Sequence, residues 1–94
     1  MNQQANSTLD SAKLKLEIVH NGVEKALAAQ PEERVTAILQ QAIRLFGIIN
    51  QPHLLSLFRA DGTKVEENQS AEQAGLENGT VLYLRPDSVK GGRK

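Results

Sequence analysis

Apolar and polar residues alternate from Lys13 onward, after a polar opening with no apolar period. Leu14, Leu16 and Ile18 alternate with Lys13, Lys15 and Glu17, the two-residue period of a half-buried strand. Asn21-Gly22 follows, and both positions of a type I′ turn need positive φ, so the pair predicts a hairpin. Val23, Lys25 and Leu27 then alternate with Glu24, Ala26 and Ala28 as the second strand. The period next lengthens. Val35, Ile38, Leu39, Ala42, Leu45 and Phe46 form one apolar stripe at helical spacing, with Gln40, Gln41 and Arg44 on the other side. Ile43 falls beside the stripe and widens its buried face. Pro31, Glu32 and Glu33 suit a first helical turn, where a proline needs no partner and carboxylates meet the positive end of the dipole. Gly47 stands where a C′ glycine ends a helix, so the expected helix runs from Glu32 to Phe46.

Ile48 to Pro52 reads as a connection, because proline disfavours helix in the residue before it. Leu54 to Phe58 is an expected third strand, too apolar for its faces to be assigned. Asp61-Gly62 predicts a tight turn into a short strand at Thr63 to Val65. In the polar connection Glu66 to Ala74, Ser70 and Gln73 have the spacing of a capping box. Asn78-Gly79 turns the chain again. Thr80 to Arg85 is the last strand, with Leu82 and Leu84 on one face and Val81, Tyr83 and Arg85 on the other; Pro86 ends it. One helix after a hairpin must cover one face of the sheet. The two strongly patterned strands, first and last, are expected to pair in its centre. The fold class is α+β, a β-grasp: a mixed sheet of four to five strands packed on one main helix. Residues 1–12 are expected to be a disordered N-terminal arm, 13–86 the domain, and 87–94 a flexible C-terminal tail.

Composition narrows the function. Ninety-four residues make one small domain, and an apolar content of 39% with two Phe, one Tyr and no Trp implies an aliphatic core. Eleven Lys plus Arg balance eleven Asp plus Glu, so no net field draws the chain to nucleic acid or an anionic membrane. Without cysteine there is no disulfide, thiolate metal site or thiol nucleophile. The polar N-terminus has no apolar core of a signal peptide, and the expectation is a cytoplasmic monomer. HExxH, P-loop and GxGxxG patterns are absent. His20 beside a turn and His53 after a proline read as loop histidines; with no cysteines they make no zinc set. The chain is not expected to be an enzyme or to bind a metal.

The remaining chemistry lies at the end of the chain, Gly91-Gly92-Arg93-Lys94. Two glycines without Cβ atoms can lie extended in a groove too narrow for other residues. Released from Arg93 and Lys94, Gly92 would carry an unhindered carboxylate.

Taken together, these features resemble ubiquitin and its relatives over about Lys13 to Gly92. Leu14-Lys15-Leu16-Glu17-Ile18 resembles the family's first strand. Pro31 and the helix through Gly47-Ile48 resemble its helix and the glycine that follows. Gly75-Leu76-Glu77-Asn78-Gly79-Thr80-Val81-Leu82-Tyr83-Leu84 resembles its last turn and strand, and Gly91-Gly92 its diglycine, after about one extra residue of tail. The resemblance implies a protein modifier precursor. A processing peptidase would cut between Gly92 and Arg93. An activating enzyme would adenylate the Gly92 carboxylate, using ATP that this chain does not itself bind. A conjugating enzyme would pass it to a target amine as an isopeptide bond. The chain would supply no catalytic group, only a docking surface and a terminus that, from Pro86 to Gly92, reaches ~23 Å.

Two departures mark a divergent modifier, of a kind resembling bacterial or archaeal conjugation systems. The family's tail is rich in arginine and leucine; here it is Asp87-Ser88-Val89-Lys90, which implies a dedicated activating enzyme. The family's apolar recognition patch is replaced by a more polar set, Tyr83 and Arg85 on the last strand and Arg59 near the end of the third, which implies different receptors. Two other functions fit a β-grasp: an adaptor or secretion-accessory module that is never conjugated, and a sulfur carrier, against which Arg93-Lys94 counts because such chains end at the second glycine.

Overall fold

The computed structural model describes residues 13–87. The expected N-terminal arm lies outside the described residues. β1 (Leu14–His20) and β2 (Val23–Ala29) form the hairpin, α1 (Val35–Leu45) follows, and β3 (Leu55–Arg59) and β4 (Val81–Pro86) complete a four-stranded sheet. Its order is β2-β1-β4-β3. β1 runs parallel to β4, while β2 and β3 are antiparallel to their neighbours, so the sheet is mixed and the first and last strands are central. This is the β-grasp arrangement expected from the pattern.

The hairpin turns where Asn21-Gly22 predicts, with both residues at positive φ (52° and 81°). At the far end of β1 a second turn is welded on: Asn78 Oδ1 accepts from the Lys15 N–H at 2.7 Å, and the Gly79 N–H donates to the Lys15 carbonyl at 2.8 Å. Leu16 and Ile18 of β1, Leu57 of β3 and Leu82 and Leu84 of β4 line the inner face of the sheet and are buried. Val35, Ile38, Leu39, Ala42 and Ile43 of α1 pack against them. Ile43 is buried, so the helix does present a wide apolar face. Leu45 lies outside the core and Phe46 is half-buried at its edge.

The helix begins three residues later than the sequence suggests. Pro31, Glu32 and Glu33 belong to a turn closed by the Glu33 N–H to the Gln30 carbonyl at 3.0 Å. The free N–H groups of the first helical turn are satisfied from a distance. Val35 N–H donates to Gln69 O at 2.8 Å, Thr36 N–H to Glu67 O at 3.3 Å, and Thr36 Oγ1 donates to Glu67 O at 2.8 Å. A remote loop takes the role expected of local carboxylates, and Arg34, the N-cap, makes no side-chain cap. The other end follows its local code. Gly47, at φ 65°, donates to Arg44 O at 3.0 Å, and Ile48 N–H reaches back to Ile43 O at 3.1 Å, a Schellman closure.

The expected strand at Thr63 to Val65 shrinks to a single bridge, Phe58 with Lys64. Pairing starts at the turn, where Arg59 N–H meets Thr63 O at 2.7 Å, and stops once Val65 has turned into the core. The Ser70–Gln73 capping box forms as its spacing predicts: Gln73 N–H donates to Ser70 Oγ (3.1 Å) and Ser70 N–H to Gln73 Oε1 (2.9 Å).

Candidate functional site

The outer face of the sheet, opposite α1, is set by strand alternation. Leu82 and Leu84 take the core side of β4, so Tyr83 and Arg85 face outward. Cross-strand register then assembles a row. Tyr83 lies beside Val19 of β1 on one side and Phe58 of β3 on the other. Ser56 lies opposite Arg85 in the same pairing. The Arg85 guanidinium stands 4.6 Å from the centroid of the Phe58 ring, a cation–π contact that leaves the exposed charge on an aromatic platform. Val19, Tyr83 and Phe58 are partly exposed, so the face carries a short apolar band with a basic edge.

Of the three residues expected on this face, Tyr83 and Arg85 are together and Arg59 is elsewhere. Leu57 pairs with Leu84 on the core side, and Arg59, two residues on, must share that side. It lies where the core ends and donates to the Ala74 carbonyl, tying β3 to the turn after the capping box. Phe58 and Val19 take its place. The signal for Val19 was present: it continues the polar face of Lys13, Lys15 and Glu17, so an apolar residue there is out of pattern. Phe58 was hidden because Leu54 to Phe58 is nearly all apolar and its phase is set only by pairing with β4.

A second feature lies where the described chain ends. Asp87, assigned to the tail by its polarity, is buried in the body. Its N–H donates to the Leu54 carbonyl at 2.8 Å. Its Oδ2 receives the Lys64 ammonium at 2.8 Å and lies 3.2 Å from Ser56 Oγ, which is itself fully buried. Ser56 Oγ is also 3.0 Å from Glu67 Oε2. A hydroxyl has one proton, so Ser56 donates to one of these carboxylates at a time. The Asp87 carboxylate, hydrogen-bonded to the Lys64 ammonium, holds it above its usual range, with Glu67 and Glu66 adding attraction against the cost of desolvation. The segment that follows therefore starts from a fixed point. Gly91, Gly92 and Arg93, the expected activation and processing residues, lie outside the described residues.

The two histidines are apart. The His20 Nδ1–H tautomer donates to the Leu84 carbonyl at 3.0 Å, while His53 is exposed in a short 3-10 helix, Pro52–Leu54. Asp61 closes its turn by accepting from the Thr63 N–H (3.0 Å) and hydroxyl (2.7 Å), and these two bonds lower its pKa. Among the described residues no group of three or more His, Cys, Asp or Glu could hold a metal ion, and no helix is long and apolar enough to cross a membrane.

No protein-family model matches the chain, and no curated protein matches it in sequence. Solved structures do match in shape. A de novo designed protein based on ubiquitin superposes with a TM-score of 0.71 at 18% identity, covering 87% of this chain and 98% of that one. Ubiquitin from Caldiarchaeum subterraneum gives 0.68 at 22%, covering 85% and 99%. A chain from the crystal structure of ATBAG1 in complex with HSP70 gives 0.69 at 13%, covering 83% of this chain and 42% of that one. The fold is thus a ubiquitin-like β-grasp.

Proposed function

We propose that this chain is the precursor of a ubiquitin-like protein modifier. The observation that carries the reading is the clamp on Asp87, five residues before Gly92. With the body extending through Asp87, the glycine carboxylate lies within ~20 Å of a fixed root rather than the ~23 Å of a tail free from Pro86. A diglycine delivered from a defined point beside an outward-facing aromatic and basic patch suits an enzyme that must hold the body and grip the terminus together.

The chemistry needs nothing from this chain but its end. Hydrolysis of the Gly92–Arg93 amide adds water and leaves the carboxylate on Gly92. That oxygen attacks the α-phosphorus of ATP on the activating enzyme, and pyrophosphate leaves. An enzyme thiolate displaces AMP to give a thioester. A target amine then displaces the thiol, giving an amide and releasing a proton. Val19, Tyr83, Phe58 and Arg85 would dock the body during these steps, and Arg59, committed to Ala74, would take no part.

Trypsin cuts after lysine, so a conjugate digested at Lys90 leaves Gly91-Gly92 on the target lysine. Mass spectrometry of the protein from its native host should show loss of Arg93-Lys94, together with Gly-Gly remnants on other proteins. Gly92→Ala should abolish the adducts and leave the thermal midpoint unchanged. A full-length mass in every fraction, without adducts, would overturn the modifier in favour of an adaptor that is never conjugated. One observation favours that second reading: the partly exposed Tyr83–Phe58–Arg85 face would serve a partner without any use of the terminus. The ATBAG1 chain, of which this fold spans less than half, would be its nearer analogue. A thiocarboxylate on Gly92 would instead mark a sulfur carrier.

A further inference from the structure

Three large apolar side chains are substantially exposed among the described residues: Val23 (50%), Leu45 (36%) and Ile49 (92%). Single exposed apolar residues are ordinary on a protein surface; a group of them is not. These three fall at one end of the molecule, where the β1–β2 turn, the end of α1 and the segment after it meet. Val23 is opposite His20 in the hairpin register. The His20 ring meets Phe46 edge-on, with centroids 5.4 Å apart. Leu45 precedes Phe46 and Ile49 follows it by three residues, with Phe46 and Ile48 half-buried between them.

The same end is cationic. Lys25 Nζ lies 5.2 Å from the Phe46 centroid and 3.4 Å from the Leu45 carbonyl oxygen. Arg44 is exposed in the last turn of α1. Neither has a carboxylate partner among the described residues; the ion pair found there, Lys64 with Asp87, is elsewhere. Glu24 alternates onto the other face of β2.

We propose that this end of the molecule docks an acidic segment of a partner protein, one that carries an apolar side chain between carboxylates. The apolar side chain would cover Val23, Leu45 and Ile49, and the carboxylates would meet Lys25 and Arg44. Charge argues against the other occupants. Residues 88–94 of this chain carry Lys90, Arg93 and Lys94 and no acid. A second copy on a two-fold axis would set Lys25 and Arg44 against themselves. Residues 1–12 have one acid, Asp10, and lead into the opposite end of β1, where Leu14 pairs with Ala29. The surface is separate from the Tyr83–Phe58 face and is independent of whether Gly92 is ever conjugated.

The test is amide chemical-shift mapping on the isotope-labelled full chain. The probe is the peptide acetyl-Glu-Glu-Leu-Phe-Glu-Glu-amide, and the control is the same peptide with lysine for glutamate. The acidic peptide should give saturable shifts centred on Val23, Lys25, Leu45, Phe46 and Ile49. Binding should weaken roughly tenfold with the lysine peptide, and by a similar factor in Lys25→Glu or in a Leu45→Ser, Ile49→Ser variant whose other amides are unmoved. Any of four results overturns the proposal: no saturable shift, shifts centred on Phe58 and Tyr83, equal response to both peptides, or self-association through these residues as concentration rises.

Discussion

Replacing Asp87 with alanine should destabilise the domain, although its polarity and place in the sequence assign it to the tail. The carboxylate accepts from an ammonium at 2.8 Å. A hydrogen bond to a charged group contributes about 1.5–3 kcal/mol when shielded. Here one partner is shielded and the other less so: Asp87 is 6% exposed and the Lys64 side chain 34%. Lys64 can re-hydrate once its partner is gone, which moves the cost toward that of a surface pair and well below the roughly 3–5 kcal/mol of a fully buried one. Ser56 adds little, because its proton can pass to Glu67, 3.0 Å away. The expected loss is about 1–2 kcal/mol, or roughly 5–10 °C in the thermal midpoint of a domain this size. Urea unfolding should show a lower midpoint with the slope unchanged. A cycle of Asp87→Ala with Lys64→Met should return a coupling of about 1 kcal/mol. Truncation separates the anchor from the tail. A chain ending at Asp87 should keep the full midpoint, and one ending at Pro86 should lose at least as much as Asp87→Ala, since the bond to Leu54 goes as well. If Asp87→Ala unfolds at the wild-type urea concentration, or the two truncations are equally stable, the clamp is not part of the fold.

Lys64 makes a matching prediction in pH. Its pKa is raised above the ordinary 10.5 by Asp87, so the stability it adds is fully present below that value and is lost as pH rises through the folded one; the gap in urea midpoint between wild type and Lys64→Met should therefore close in strong alkali. Asp61, lowered by its bonds to Thr63, has the opposite sign: the midpoint difference between wild type and Asp61→Ala should hold above pH 3.8 and fade as pH falls further. Leu82→Ala, at a fully buried position on a central strand, should cost about 2–5 kcal/mol by urea unfolding, among the largest single truncations in the sheet. Gly47→Ala should cost about 1 kcal/mol in the same assay through backbone conformation alone, because nothing lies within 4 Å of its missing Cβ and only its φ of 65° resists a side chain.

Local codes in the chain survived into the structure where the physics was local. Asn21-Gly22, Gly47 and the Ser70–Gln73 pair each bond within a few residues, and each sits where its spacing predicts. Pro31-Glu32-Glu33 is the instructive failure. Its chemistry fits a helix start, but the N–H groups of Val35 and Thr36 found carbonyls at Gln69 and Glu67 instead. A backbone donor takes whichever acceptor the fold brings within reach, and sequence spacing does not reveal one so far along the chain.

The outer face followed the same division. Tyr83 and Arg85 were legible because β4 alternates cleanly between Leu82, Leu84 and their neighbours. Phe58 and Arg59 were exchanged because the apolar run of β3 has no phase of its own; pairing Leu57 with Leu84 set it, and a shift of one residue moves every side chain to the other face. The order of elements, the central pairing of first and last strands, the aliphatic core and the diglycine can all be read from the pattern of residues along the chain. Which residues share a surface, and that Asp87 is buried in the body, depend on contacts between segments distant in sequence. Asp87 shows why. A lone aspartate after a proline reads as solvated, and it is buried only because Lys64 and Ser56, both distant from it in sequence, converge on it with the charge and the buried hydroxyl that make its burial tolerable.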